Sequence, residues 1–459
     1  MTRSLIISFT LIYCGVFGQG LTPESFSKLV LENHPEAQSA DLVIDYARKQ
    51  MTSARGNFDP VLYGNLGAKE YDSKEYFDLR EGGVKLPTRL GGLELKASYQ
   101  VNEGARVNPQ NYTPEDGLVN AGVSLPVGKG LFTDPARTKL RQASNDKKSA
   151  PFERQLQLMN LMLDAQKSFW TWAYTERALE VYEEAVSLAD FRFRSVRERY
   201  LTGDLAAIDT LEAFIQLQQR QTQLRDARID FYASSYMINN FMWGADQEQK
   251  PDTSLRPEIN WENYLNWTAE TLNTSDQHPA IQLYRFKVQN LILDRRLKLE
   301  SLKPELDLHY NFLSGPNDPL DQRFDPVLVD NYKFGVSAKF PLFVRKGIGD
   351  VGMANVKVKT TEYDLNLKVR ELQNKQNSSL ANIGFLNEQL DILEENVDNY
   401  RRLLEAEKLK FDNGESSLFL VNRRESKLIE AGLKFAKAKS NYMKEIASFK
   451  WANGTLVNP

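Results

Sequence analysis

The sequence predicts an α+β membrane protein in two internal repeats. Transmembrane β-strands, about four per chain, combine with long antiparallel coiled-coil helical hairpins. Three observations predict it: a heptad ladder that occurs twice in one register, period-two alternation just before each ladder, and an export signal at the start of the chain.

The ladders come first. Leu158, Ala165, Trp172, Leu179, Val186, Phe193 and Tyr200 recur 211 residues later as Val369, Gln376, Ile383, Leu390, Val397, Leu404 and Phe411, and only Gln376 breaks the apolar pattern. Beyond the paired glycines Gly203 and Gly414, Leu217, Leu224, Phe231 and Ile238 match Leu428, Phe435, Tyr442 and Phe449. A period of seven held this long means helices packed side by side in a left-handed sense, and its recurrence means a duplicated chain.

Residues 1–20 read as a secretory signal. Arg3 supplies the charge, Leu5 to Phe17 the short apolar run, and Gly18 and Gly20 the small residues at the cleavage site. Cys14 lies inside that run behind Tyr13, where a lipoprotein signal wants a small residue, so it leaves with the signal. The mature chain then has no cysteine, and neither disulfides nor thiolate metal sites are available to it. Lys plus Arg number 58 against 61 Asp plus Glu, a net charge of −3, which argues against a nucleic-acid surface. After the signal no uncharged apolar run reaches the roughly 18 residues of a membrane helix. If the chain spans a membrane, it does so with strands.

Each half opens on His-Pro: His34-Pro35 and His278-Pro279, with Pro60 and Pro304 following each opening proline by 25 residues. Proline-free stretches between them, Glu36 to Arg55 and Ala280 to Leu302, predict one helix per half. A period of two follows. Leu306, Leu308, Tyr310 and Phe312 alternate with Asp307, His309 and Asn311. After a Pro/Asp-rich loop, Tyr332, Phe334, Val336, Ala338 and Phe340 alternate with Lys333, Gly335, Ser337 and Lys339. The first half offers Leu93 to Val101 and Val119 to Leu125 in the same style. Any one of these could be a half-buried strand of a soluble sheet. Four in an exported, duplicated chain fit a barrel with lipid outside and water inside.

The halves differ in size. His34 and His278 lie 244 residues apart against 211 for the ladders, so the first half holds about 33 extra residues. Val61 to Tyr71 resembles a further strand. Since the chain enters and leaves on one side, either one candidate does not span or Phe77 to Lys85 supplies a fourth. Pro126, Gly128 and Gly130, and Pro341, Gly347 and Gly349, mark the exits into long helices. From Arg137 to Leu201 an unbroken helix would run about 98 Å at 1.5 Å per residue, with a kink expected at Pro151. The expected organisation is a signal (1–20), a first repeat (21–245), a connector (246–277) with Trp261 and Trp267, a second repeat (278–451) and a tail (452–459).

Catalytic chemistry finds no support. Gly347, Gly349 and Gly352 spell G-x-G-x-x-G, but a helical pattern of twice the usual length follows, so these glycines are expected to turn strand into helix rather than to hold a dinucleotide. His34, His278 and His309 have no metal-ligand spacing. No nucleophile stands beside a base. No enzyme, cofactor or metal site is predicted, and Trp170 and Trp172 are read as interhelix packing. The two hairpin tips differ from the rest: Tyr200-Leu-Thr-Gly203-Asp204 and Phe411-Asp-Asn-Gly414-Glu415 each pair a helix-stopping glycine with an acid. Capping explains this, and so does a surface for a partner.

Signal, duplication, paired strands, proline exits and Gly-containing tips together resemble the TolC-like outer-membrane efflux protein family over the whole mature chain. The local matches are Tyr200 to Ala213 (YLTGDLAAIDTLEA), Phe411 to Ala431 (FDNGESSLFLVNRRESKLIEA) and Pro341-Leu342-Phe343. The resemblance implies a homotrimer in the outer membrane of a Gram-negative bacterium. Each chain would give four strands to a twelve-stranded barrel continued by an α-helical tunnel across the periplasm. It implies an exit duct of a tripartite efflux or type I secretion system, a passive conduit for small molecules or, second, a protein. The tips at Gly203, Asp204, Gly414 and Glu415 would dock a periplasmic adaptor (membrane fusion protein) serving an inner-membrane pump.

In the family an aspartate of the first tip helps hold the periplasmic end shut, and that place falls on Asp209. Its tyrosine and arginine partners fall on Phe411 and Ser416, and the acidic aperture ring on Leu420 and Arg423, so the gate chemistry is changed. Asn422, Arg423, Arg424 and Glu425 are the expected substitute network. The rival reading is a periplasmic adaptor or scaffold with coiled-coil hairpins. An adaptor needs one hairpin and no lipid face, and both the duplication and the alternation count against it.

Overall fold

The computed structural model describes residues 20–244, 254–265, 267–268, 275–316 and 331–457. The expected signal, with Cys14, and much of the Pro/Asp-rich loop and of the connector lie outside the described residues. Helices α1 (Pro23–Asn33) and α2 (Pro35–Arg55) precede strands β1 (Val61–Tyr71), β2 (Lys74–Pro87), β3 (Glu94–Glu103) and β4 (Leu118–Pro126). Then come α3 (Pro135–Leu201), α4 (Ala207–Asn239), the single turn α5 (Glu262–Leu265), α6 (Pro279–Glu300), β5 (Glu305–Ser314), β6 (Tyr332–Lys339), α7 (Arg345–Asp412) and α8 (Leu418–Ala452). None of the described helices is long and apolar enough to cross a membrane.

Local chemistry sets the helix starts. The Thr22 hydroxyl accepts from the Ser25 N–H at 3.2 Å, and the Ser25 hydroxyl accepts from the Thr22 N–H at 3.1 Å. The two His-Pro pairs do one job each: His34 Nδ1 accepts from the Glu36 N–H, and His278 Nδ1 from the Ala280 N–H, both at 3.2 Å. Helix α3 continues through Pro151 without ending. Gly347, Gly349 and Gly352 lie inside α7, not in a turn before it, which corrects the expected role. A Cβ at Gly347 would come within 2.6 Å of Leu302 Cδ2, so close packing holds that glycine. Gly128 does sit at an exit, where a Cβ would fall 2.1 Å from the Pro304 carbonyl oxygen.

The chain divides into two compact units. One comprises Ala40–Leu156 and Asp276–Glu371. It holds one antiparallel meander of six strands in the order β1-β2-β3-β4-β5-β6. The count of about four strands per chain rises to six: the further strand at Val61 to Tyr71 is β1, and the option of a strand at Phe77 to Lys85 is realised within β2. Strand β2 is the less legible of the two, because its charges and paired glycines, Asp78, Arg80, Glu81, Gly82 and Gly83, blur its alternation. Its hairpin turn, Asp72-Ser73, takes positive φ of 54° and 55° without the usual glycine.

Register turns this meander into alternating rows. One row crosses all six strands through Leu62, Val84, Ala97, Ala121, Phe312 and Tyr332, apolar or aromatic at every step. A second on the same face runs Leu86, Leu95, Val123, Tyr310 and Phe334. Between them, on the opposite face, lie Val61, Lys85, Lys96, Gly122, Asn311 and Lys333. The apolar face is open, with Leu62 at 81% and Phe334 at 57% exposure. A soluble sheet would bury those side chains against a second layer.

The other unit is built from the described residues of Met1–Ser39, Gln157–Ser275 and Leu372–Pro459. Much of the predicted ladder lies in its core: Leu158, Ala165, Trp172, Leu179, Leu217, Leu224, Phe231, Ile238, Ile383, Leu390, Leu404, Tyr442 and Phe449 are buried, whereas Val186, Phe193, Val397, Phe411, Leu428 and Phe435 are half-buried and Tyr200 is exposed. Gln376, the break in the pattern, is also buried, and its amide donates to Asn453 Oδ1 at 3.4 Å. Trp170 and Trp172 are packing residues, as expected. The Trp172 indole donates to Ser235 Oγ at 3.1 Å, and Trp170 meets Trp261 of the connector with ring centroids 5.6 Å apart.

Candidate gate at the hairpin tips and the polar face of the sheet

Both tips are closed by the same backbone device. At the first, Gly203 N–H donates to Tyr200 O at 3.0 Å and Asp204 N–H to Arg199 O at 2.8 Å. At the second, Gly414 N–H donates to Phe411 O at 3.0 Å and Glu415 N–H to Lys410 O at 2.8 Å. This is the Schellman pattern, which needs a left-handed residue, and Gly203 and Gly414 have φ of 83° and 79°. Both acids are exposed, and Asp204 accepts from Arg199 Nε at 3.0 Å.

Asp209 caps its own helix by accepting from the Ala206 N–H at 3.3 Å. Phe411 is not near it in role: with Phe193 and Leu205 it packs on the buried cluster Val196, Ala213 and Leu418. That cluster draws on α3, α4 and α8 and joins the two tips by apolar contact. Ser416 belongs to a polar group. Its hydroxyl donates to Glu407 Oε1 at 2.5 Å, and Arg424 Nε donates to Glu407 Oε2 at 3.2 Å. These bonds, the Ser416 hydroxyl first and the Arg424 guanidinium second, hold the Glu407 carboxyl below the usual carboxylate range.

A second group lies deeper. Arg192 of α3 donates to Asn422 Oδ1 at 2.7 Å and to Glu425 Oε2 at 2.5 Å. Arg220 of α4 donates to Ser426 Oγ at 2.6 Å, and Ser426 in turn donates to the Asn422 carbonyl at 2.8 Å. Arg220, Asn422 and Glu425 are buried, at 2%, 3% and 3% exposure. Burial lowers the Arg220 pKa and the charge of Glu425 opposes that shift. Three helices are thus tied by two guanidiniums and one carboxylate. Of the expected network, Asn422 and Glu425 join this group, Arg424 joins Glu407, and Arg423 is exposed and joins neither. Leu420 is half-buried in the first turn of α8.

Sequence reading missed Arg192 and Arg220. A signal existed for the second: Ala213, Arg220, Ala227 and Ser234 form a seven-residue ladder of small buried residues with one arginine on it.

The polar face of the sheet carries its own network. Glu81 accepts from the Tyr63 hydroxyl at 2.8 Å and from Asn65 at 3.3 Å, and pairs with Lys96 at 3.0 Å. Ser124 Oγ lies 2.9 Å from His309 Nδ1. Among the described residues no group of three or more His, Cys, Asp or Glu could hold a metal ion.

No family model matches the chain, and no curated protein sequence matches it. Solved structures do. The Campylobacter jejuni CmeC outer membrane channel superposes with a TM-score of 0.68 at 15% identity, covering 94% of this chain and 85% of that one. The outer membrane protein VceC of Vibrio cholerae gives 0.67 at 12% identity, covering 94% and 95%. The open-state MtrE outer membrane channel of Neisseria gonorrhoeae gives 0.64 at 13%, covering 94% and 89%. The chain has the mixed α+β fold of outer-membrane channels, helix-rich and with one open sheet.

Proposed function

We propose that this chain is one subunit of an outer-membrane efflux duct, a homotrimer of the TolC-like kind, through which small molecules leave the cell. The observation that carries the reading is the six-strand row of apolar side chains backed by a polar row. Such a sheet fits lipid on one face and water on the other. Six strands cannot close a barrel, whose smallest known form has eight, and open edges are not tolerated in lipid, so copies must join. The exposed apolar side chains of α7, among them Val356, Tyr363, Phe385 and Ile392, favour helix contacts between copies as well.

In this proposal residues 1–20 are removed on export, and the repeats 21–245 and 278–451 each supply strands and a coiled-coil hairpin. The tips around Gly203 and Gly414, with Ile208, Leu211 and Phe419 exposed at 72%, 58% and 55%, meet a periplasmic adaptor that links the duct to an inner-membrane pump. Transport is passive, and the pump supplies the energy. The buried Arg192, Arg220 and Glu425 group holds the tips together and opposes opening. An adaptor or scaffold role is not favoured, because a lipid-facing row has no use there. Purified protein added to a planar lipid bilayer tests the reading. Stepwise conductance is expected, and an electrically silent, vesicle-free protein would overturn it.

A further inference from the structure

We infer that each copy contributes all six strands to the barrel, and that β1 of one copy pairs with β6 of the next. The inference rests on the duct reading and sets its strand count at six per chain, eighteen in a trimer. The β1–β2 hairpin is not an appendage. It is hydrogen-bonded to β3 from Asp78↔Glu103 to Pro87↔Glu94, ten residue pairs that fill the edge β3 would otherwise offer to a neighbour. Its own side chains extend the rows: Leu62, Leu66, Val84 and Leu86 on the apolar face, and Tyr63, Asn65 and Glu81 on the polar one.

The polar network crosses the same boundary, since Glu81 of β2 binds Tyr63 of β1 and Lys96 of β3. The outward charges Asp78 and Arg80 of the hairpin pair with each other, and Arg80 lies at mid-strand opposite Leu66.

That leaves two open edges, the outer sides of β1 and β6, which pair with nothing among the described residues. One is 11 residues long and the other 8. Both belong to strands with a lipid-compatible face, so in a bilayer each needs a backbone partner, and a ring of copies supplies each with the other. The meander has an even number of strands, so both ends of every copy's sheet return to the same side and the ring closes antiparallel. Eighteen strands spaced about 4.8 Å apart and tilted about 40° enclose a backbone cylinder of about 18 Å radius, in the range that leaves an aqueous channel.

Because Cys14 is the only cysteine and lies in the first 20 residues, introduced thiols report cleanly. The experiment uses the full chain in native outer membranes, with Asn65→Cys combined in turn with Lys333→Cys, Gly335→Cys and Ser337→Cys. All lie on the polar face, and the three cover neighbouring registers. Oxidation is expected to give covalent dimers and trimers on boiled, non-reducing gels in at least one combination. Gln100→Cys on β3, paired with the same three positions, is expected to give none.

Links from Gln100→Cys instead would overturn the inference while leaving the duct intact with four strands per copy. A heat-sensitive outer-membrane trimer with no link from Asn65→Cys would also overturn it. Recovery of the chain as a soluble monomer would overturn the duct reading itself. A second readout does not need the seam register: a fluorophore on Leu62→Cys or Leu66→Cys should be quenched by nitroxide-labelled lipid, and one on Asn65→Cys should not. Equal, lipid-independent fluorescence at all three would place the hairpin outside the barrel.

Discussion

Replacing Glu425 by glutamine removes one charge from the buried group that joins α3, α4 and α8 while keeping the side-chain shape. In the native protein Arg192 donates to Glu425 at 2.5 Å and to Asn422 at 2.7 Å, and Arg220 is buried close by. A hydrogen bond to a charged group contributes about 1.5–3 kcal/mol. Removing one member of a buried pair costs about 3–5 kcal/mol, because the partner charge stays behind. Here two guanidiniums stay behind around one lost carboxylate.

Glu425→Gln should therefore weaken the tip by about 3 kcal/mol. Arg192→Met should weaken it less, about 2 kcal/mol, since Arg220 still faces Glu425. The double variant should show coupling of about 2 kcal/mol in a double-mutant cycle. If this group holds the tips shut, 3 kcal/mol shifts the closed-to-open ratio by roughly 150-fold. Single-channel recording of purified protein in planar bilayers reads that ratio, and thermal melting in detergent reads the stability. A coupling below about 0.5 kcal/mol, or an unchanged open fraction in folded Glu425→Gln protein, would show that this group does not hold the tips shut.

Gly203→Ala and Gly414→Ala should each cost about 1–2 kcal/mol in thermal melting, because the positive φ is strained for alanine while no atom lies within 4 Å of the added carbon. Asparagine at either position should cost less. Glu176, half-buried on α3, has its carboxyl pushed up to about 7, by burial first and by the neighbouring Glu180 second. Its folded pKa lies above its unfolded one, so its contribution to stability is complete at about pH 4 and is lost as pH rises through 7. Melting temperature should fall between pH 5 and pH 8, and Glu176→Gln should flatten that slope. Phe312→Arg, on the apolar row, should cost about 2–4 kcal/mol and reduce heat-resistant assembly, whereas Asn311→Arg on the polar row should assemble normally. Comparison of unboiled samples of the two variants on one gel checks the pair.

Much of this fold was legible because its two periods are long. The heptad ladder needs only apolar residues at fixed spacing, and thirteen of its rungs named above are buried together. Strands β3 to β6 alternate cleanly, and the tip glycines stop helices by backbone geometry alone. Strand β2 was offered only as one option, because glycines and charges interrupt its alternation and its turn lacks glycine. Helix α1 was missed, although Thr22, Pro23 and Ser25 form a readable start signal. The buried polar group was half legible. Asn422 and Glu425 stood out beside the second tip, but Arg192 lies 230 and 233 residues from them, and no local pattern connects such partners. Placing Asp209 and Phe411 by analogy named positions that in this chain cap a helix and fill an apolar cluster.

The central claim is that copies of this chain form a barrel in the outer membrane. Fractionating the native host's membranes and running the detergent extract with and without boiling tests it most directly. The account predicts outer-membrane recovery and a species near three chains that collapses to one on heating. A soluble periplasmic monomer would contradict it.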